Sequence, residues 1–386
     1  MVDQQLIRFT LDRARVKPEP MGSVQLVDWP EPVVRVQTLS ENGLATIPAH
    51  YIKPHADRPS LSAGLDGAAS IPVVDLEDSD GGGAAAVAEA CREWGFFQVV
   101  NHGVDRGLVE RAVEVWRAFF RLPLEEKQAY ANSPATYEGY GSRLGVDKGA
   151  ILDWGDYFFL HLLPEKLKSP EKWPAMPTHC RQTVQEYGDE LLKLCKRLMK
   201  LLSISSGLDV DRLPEAFGGD DVGATLRVNY YPKCPQPELA LGLSAHSDPG
   251  GITVLLADDA VKGLQVRKGD RWVTVQPVPG AFIVNVGDQI QILTNAIYKS
   301  VEHRVVVNAE KERLSLAFFY NPKSDMAMGP VAELVTADRP AMYPAMTFDE
   351  YRLFIRSKGP KGKSQVKSHQ KYDSLRPIMQ PPCVRA

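Results

Sequence analysis

The chain has little of what would place it outside a reducing compartment, across a bilayer or along a nucleic acid. Its 386 residues include five cysteines, Cys91, Cys180, Cys195, Cys234 and Cys383, an odd number with no C-x-x-C pair. That count argues against a secreted disulfide framework and against a structural zinc site. No run of eighteen apolar residues occurs, and the amino terminus mixes Asp3, Arg8, Asp12 and Arg13 into the stretch where a signal peptide would keep an apolar core. Neither a membrane span nor a secretory leader is expected. No sign of charge dominates either: 45 Lys and Arg stand against 48 Asp and Glu, a formal net charge of −3. Without a concentrated positive field, affinity for nucleic acid or anionic lipid is not expected. The simplest setting is a cytoplasmic protein, assumed monomeric, and no internal repeat points to a solenoid.

What is present is enough apolar residue, 44%, and an ordinary share of charge, 24%, to build a globular core. Residues 1–70 are Pro-rich, with stops at Pro30, Pro32, Pro48, Pro54 and Pro59, and read as an arm draped over the surface. Residues 71–210 read as mainly helical. Val184, Tyr187, Leu191, Leu194, Leu198 and Leu201 recur at spacings of three and four, one apolar stripe on a helix over 183–203 with Cys195 beside it in the core. Within this region, 95–100 reads as a buried strand. Gly81, Gly82 and Gly83 read as a flexible turn rather than a domain linker. From 211 to 356, short β-type runs separated by Gly, Pro and Asp predict strands over 225–231, 243–246, 252–256, 264–267, 272–274, 282–286, 305–307 and 313–320. Eight such strands suit a jelly roll, so the expected class is α+β, a double-stranded β-helix core with flanking helices. A capping box of Thr347 and Glu350 predicts a last helix running to about Arg356. The tail 357–386 holds seven Lys or Arg and one Asp, and is expected to be disordered.

Chemistry concentrates in the β half. His246 and Asp248 stand two apart, so on a strand both side chains leave one face. Taken alone, H-x-D is a weak signal, equally an ordinary polar strand end, and His303 taken alone is more often structural than a ligand. Together, two His and one carboxylate make the facial set that leaves three adjacent positions open on a non-haem iron(II). Ten residues past His303, Arg313 and Ser315 again alternate, a guanidinium and a hydroxyl suited to fork a carboxylate. Arg227, Asn229 and Tyr231 alternate likewise. A structural explanation would have to bury these groups together without compensation, at high cost. A zinc hydrolase fits the ligands but leaves Arg313 and Ser315 unexplained.

These motifs, in order, resemble the plant 2-oxoglutarate- and iron(II)-dependent dioxygenases. The likeness runs from about Ile71 to Gly359 and includes Ile71 to Leu76, Trp94 to Val104, Tyr230 to Pro237, the H-x-D…H set, Gly263 to Val266, Asn285-Val286-Gly287-Asp288 and R-x-S. The resemblance implies iron held by His246, Asp248 and His303. It implies 2-oxoglutarate chelating that iron, its distal carboxylate on Arg313 and Ser315, with Asn229 and Tyr231 nearby. Dioxygen is then the oxidant, with ascorbate as reductant, and His102 is a turn residue and not a ligand.

Asp28 to Gln37, Tyr51 to Pro54, Lys299 to Val305, Phe318 to Asp325 and Tyr351 to Arg356 look like the jasmonate-induced oxygenase subgroup. That likeness implies hydroxylation of jasmonic acid to 12-hydroxyjasmonate, which lowers active hormone and jasmonate-dependent defence signalling. It assigns Arg227, Arg352 and Arg356 to the substrate carboxylate. Arg352 and Arg356, four apart, share one helix face, although helix arginines are commonly solvated. Phe159 and Phe319 are expected as apolar walls. Phe319 alternates onto the face of Arg313 and Ser315, whereas Phe159 could equally be core. A flavonoid or other specialised-metabolite dioxygenase, and a catalytically dead jelly-roll receptor, remain the alternatives.

Overall fold

A computed structural model describes residues 33–59, 70–77, 82–134, 137–143, 148–358 and 366. The first element is α1 (Val36–Glu41), in the arm. β1 (Val73–Asp75), α2 (Gly82–Glu93) and β2 (Phe96–Val100) follow. Then come α3 (Arg106–Arg121), α4 (Leu124–Gln128), β3 (Gly139–Gly141) and β4 (Asp156–Leu163). Two helices, α5 (Cys180–Ser205) and α6 (Arg212–Phe217), lead into the β half. It opens with β5 (Gly223–Tyr231), β6 (Leu243–His246) and β7 (Ile252–Leu256). β8 (Leu264–Lys268), β9 (Arg271–Thr274) and β10 (Phe282–Val286) come next. The chain continues through α7 (Asp288–Leu293), β11 (His303–Val305) and β12 (Arg313–Asn321). It closes with β13 (Ala327–Met328), β14 (Met346–Thr347) and α8 (Phe348–Lys358).

Eight strands form a major sheet in the order β1-β2-β10-β7-β12-β5-β4-β3, and four form a minor sheet, β6-β11-β8-β9. The register explains how one sheet serves both a core and a site. Phe97, Val284, Val254, Phe318, Leu226 and Leu160 lie in one row across six neighbouring strands. They belong to a large apolar cluster with Trp116 and Phe119 of α3 and Val184, Tyr187, Leu191 and Leu198 of α5. Burying each such side chain contributes about 1.5–3 kcal/mol. The helices therefore cover this outer face, and α5 carries the apolar stripe at the expected spacing. Asp105 caps α3 by accepting from Leu108 N at 2.8 Å. The other face looks toward the minor sheet. Phe96 and Ile283 of the major sheet meet Leu264 and Val266 of the minor one in a second apolar cluster, and the polar residues gather elsewhere on that inner face.

The capping box is formed: Glu350 N donates to Thr347 Oγ1 at 3.2 Å, and Thr347 N donates to Glu350 Oε2 at 2.8 Å. Several expectations need correction. Residues 71–210, read as mainly helical with one strand over 95–100, also hold the strands β1, β3 and β4. The run Asp156–Leu163 is a strand that pairs with β5 from Asp156↔Tyr230 onward, its periodicity hidden because both faces are buried. The expected strand over 305–307 begins instead at His303. The six-residue α7 carries no readable helical period.

The arm is more than a surface drape. Val36 and Gln37 donate their backbone N–H groups to the buried Asp156 carboxylate at 2.9 and 2.8 Å. Val36, Ile47 and Tyr51 pack with Trp154, Cys234 and Ala240. A carboxylate inside the sheet thus holds the first turn of α1. The tail was expected to be disordered, yet its residue 358 ends α8, and Val366 is helical and buried with Ile292, Tyr343, Phe348 and Tyr351. The rest of the tail and Gly81 lie outside the described residues, whereas Gly82 and Gly83, expected in a flexible turn, open the helix α2. Among the described residues, no helix is long and apolar enough to cross a membrane.

Candidate active site

His303 and His246, 57 positions apart, are direct cross-strand partners on β11 and β6, so pairing alone brings their rings to 4.2 Å between centroids. Asp248 lies two residues past His246, beyond the end of β6, so a loop rather than the strand pleat presents it. Its Oδ1 stands 3.6 Å from His246 Nε2 and 3.7 Å from His303 Nε2. One ligand atom from each residue lies within 4.8 Å of the others.

Hydrogen bonds behind these atoms decide where they point. His246 Nδ1 lies 2.8 Å from the Ser244 carbonyl and His303 Nδ1 3.2 Å from that of Val301. Each Nδ1–H is therefore the donor, and each Nε2 lone pair faces the other ligands. The second oxygen of Asp248 accepts from Thr253 Oγ1 at 2.6 Å and Asn285 Nδ2 at 2.7 Å. Thr253 and Asn285 are register partners on β7 and β10, which is how two distant residues reach one oxygen. Burial alone would raise the Asp248 carboxyl, but the two imidazoles and Asn285 hold it well below the usual carboxylate range. Burial, followed by the His246 charge, brings His303 down to about 4. An ionised carboxylate and a neutral imidazole are the forms a metal needs. Two imidazole nitrogens and one carboxylate oxygen, converging and oriented from behind, fit an iron(II) with three positions left open.

On the major sheet, β5 and β12 pair Tyr231 with Arg313, Asn229 with Ser315 and Arg227 with Ala317. Arg313 and Ser315 are both buried. Arg313 Nη1 reaches Ser315 Oγ at 3.4 Å, Nε donates to Val261 O at 3.2 Å, and the Tyr231 ring centroid lies 5.5 Å from its guanidinium carbon. This is a rigid fork with a hydroxyl beside it. Asn229 turns its carbonyl to Arg227, accepting from Nε at 2.7 Å, while the guanidinium carbon of Arg227 sits 4.3 Å from the Tyr157 ring centroid.

Burial along these strands singles out three positions. β4, β5 and β12 are buried almost throughout, and away from their ends the residues that keep partial exposure are Phe159, Arg227 and Phe319. Phe159 is the cross-strand partner of Arg227. Phe319 pairs with Thr225, two positions along the same face. Phe159 is thus on the inner face and not in the core behind the sheet. Arg352 is half-buried on α8, its guanidinium carbon 5.6 Å from the Phe348 ring. The Arg356 side chain lies outside the described residues. His102 is the turn residue expected: its Nδ1 accepts from Val104 N at 3.1 Å and its Nε2 lies 3.0 Å from Gly280 O.

Sequence reasoning missed Thr253, whose role comes only from register, and Lys53. The Lys53 ammonium, buried in the arm, donates to Asp153 Oδ1 at 2.7 Å and Ser244 Oγ at 3.0 Å, next to the carbonyl that orients His246. The N-V-G-D motif, by contrast, was visible, and the structure supplies its reason. Asn285 holds Asp248, and Gly287 has no room for a side chain, since a Cβ there would stand 2.3 Å from Gly250 O. Asp288 N donates to Asp248 O at 2.8 Å.

Comparisons with known proteins agree with this geometry. The 2OG-Fe(II) oxygenase superfamily model matches residues 222–322, and a model described as the N-terminal region of the non-haem dioxygenase in morphine synthesis matches 71–176. Jasmonate-induced oxygenase 2 of Arabidopsis thaliana is 61% identical over 349 residues, 89% of this chain and 94% of that protein. Flavanone 3-dioxygenase 2 of Oryza sativa subsp. japonica is 43% identical over 82% of this chain and 92% of its own. A crystal structure of JOX2 in complex with 2OG, Fe, and JA superposes with a TM-score of 0.85 at 62% identity, covering 89% of this chain and 99% of the other.

Proposed function

The chain belongs to the 2OG-Fe(II) oxygenase superfamily, and from that premise we propose that it hydroxylates jasmonic acid to 12-hydroxyjasmonate, consuming 2-oxoglutarate and dioxygen. The observation that carries the substrate class is the partly exposed trio within the otherwise buried strands β4, β5 and β12, one cation, Arg227, flanked by Phe159 and Phe319. Such a surface takes a small molecule with one carboxylate and an apolar body. The likeness to jasmonate-induced oxygenase 2, and to a structure holding JA with 2OG and Fe, supports jasmonic acid among such molecules.

His246, Asp248 and His303 hold iron(II) in this reading. Bound iron supplies the redox chemistry that couples decarboxylation of 2-oxoglutarate, to succinate and carbon dioxide, with transfer of one oxygen atom into a substrate C–H bond. Arg313 and Ser315 grip the distal carboxylate of 2-oxoglutarate, with the Tyr231 ring backing the guanidinium. Asn229 and the Tyr157 face fix the Arg227 fork so that it meets the substrate carboxylate without reorganising. Arg352 and Arg356 are assigned a supporting role toward the substrate carboxylate on the likeness to the jasmonate-induced oxygenases, and Phe159 and Phe319 fix the apolar body and keep water away. The buried strand faces around this mouth exclude competing reactions. Hydroxylation draws jasmonic acid from the pool available for the active hormone conjugate, so the enzyme lowers jasmonate-dependent defence signalling. We place it in the cytoplasm, as a monomer, with ascorbate as the reductant.

Mass spectrometry of products after incubation with iron(II), 2-oxoglutarate, ascorbate and either jasmonic acid, its methyl ester or a flavonoid panel tests this. We expect a hydroxylated acid and little ester turnover, with Arg352→Ala weakening use of the acid far more than of the ester. Turnover of flavonoids alone would shift the assignment to the flavanone dioxygenase side of the superfamily, to which the chain is also related.

A further inference from the structure

The described part of α8 reaches the metal-ligand loop through a buried carboxylate. Asp288, at the start of α7, is fully buried. Its Oδ2 accepts from Tyr351 Oη of α8 at 2.6 Å and from Ser247 Oγ at 3.2 Å. Ser247 is the residue between His246 and Asp248. The Asp288 backbone adds a third link, N–H to Asp248 O at 2.8 Å, and Gln289 N donates to Gly250 O at 2.9 Å. The helices themselves are packed together, Ile292 of α7 meeting Phe348 and Tyr351 of α8. Burial, and then the Asp288 charge, hold the Tyr351 phenol protonated, so it stays a donor to the carboxylate. Hydrogen bonds to a charged acceptor are about twice as strong as neutral ones, and here one acceptor oxygen serves both sides.

We propose that Asp288 is a positioning residue that couples the seating of α8 to the geometry of the loop carrying His246 and Asp248, so that occupation of either site favours the ordered form of the other. The substrate half of this proposal rests on the reading of α8 as a helix that meets the substrate carboxylate. Tyr351 and Asp288 touch neither substrate nor metal; they act through what they hold. Binding free energies are reciprocal. If a substrate on α8 tightens the loop, then metal in the loop must tighten α8, and that direction can be read without any substrate.

Hydrogen exchange on the full chain, with manganese(II) and 2-oxoglutarate as the probe, makes the test. In the wild type, the probe is expected to slow exchange both in residues 246–251 and in residues 348–353. Tyr351→Phe removes one hydroxyl and keeps the ring in its apolar seat. It is expected to preserve the response of 246–251 and to reduce that of 348–353 by about tenfold. Ser247→Ala, cut from the opposite side, is expected to do the same. An unresponsive α8 in the wild type, or an undiminished response in both variants, overturns the proposal. In turnover, Tyr351→Phe is expected to raise KM for jasmonic acid about tenfold, leave KM for 2-oxoglutarate within twofold, and increase 2-oxoglutarate consumed per product. Both KM values rising together would mark a merely structural role and overturn it as well. If the wild type leaves jasmonic acid untouched, the substrate reading fails while the exchange result still decides the coupling.

Discussion

Asp248 shows how little of a metal site is the ligand itself. One oxygen faces two imidazoles, and the other is held by Thr253 and Asn285. With Asn285→Ala the carboxylate keeps one of these partners and gains freedom to turn. Iron(II) affinity, measured by equilibrium dialysis, is expected to fall by about 10–100-fold, and KM for 2-oxoglutarate to change far less. His246, Asp248, His303, Arg313 and Ser315 were readable because few other uses exist for that combination in that order; Arg313 and Ser315 do alternate onto one strand face, whereas H-x-D was found by its spacing although a loop presents Asp248. Thr253 was not readable, since nothing in Ile252-Thr253-Val254 distinguishes a hydroxyl that supports a ligand from one that merely suits a strand. Lys53 was hidden for a similar reason, because its partner Asp153 lies 100 residues away.

Elements were legible where one period dominated. The stripe of α5 and the strands 243–246, 252–256 and 282–286 stand where expected. β4 was lost because Asp-Tyr-Phe-Phe-Leu-His-Leu-Leu buries both faces, one against α3 and α5 and the other toward the pocket. α7 was lost because six residues make too few turns to show a stripe, yet it sets the loop. Its entry at Gly287 lies against the Gly250 carbonyl. In Gly287→Ala the new methyl meets backbone, which cannot rotate away, so the chain between β10 and the 248–251 loop must part. A loss of about 1–3 kcal/mol is expected in denaturant unfolding, together with weaker iron(II) binding.

For the molecule as a whole, net charge says little about its ligands. The tail carries seven Lys or Arg against one Asp, which leaves the rest acidic, yet the proposed ligands are anions. Their capture depends on local cations such as Arg227 and Arg313 and not on a long-range field. The metal links this site to global stability. Manganese(II) at a hundredfold excess over its Kd is expected to add about 2.7 kcal/mol and raise Tm by several degrees, and chelator to reverse it; His246→Ala should abolish the shift. The register of the major sheet has one more consequence. From Gln98 through Ile283, Leu255, Ala317 and Arg227 to Phe159, the catalytic face uses every second residue of six strands, and the positions between them belong to the helix-facing core. The site is therefore written in parity. A single-residue insertion within β5 or β12 would exchange the two alphabets past that point, sending Leu and Val into the pocket and Arg into the core. Length can vary in the turns between strands and not inside them, so specificity in such a barrel changes by substitution on the face and by insertion at its rim.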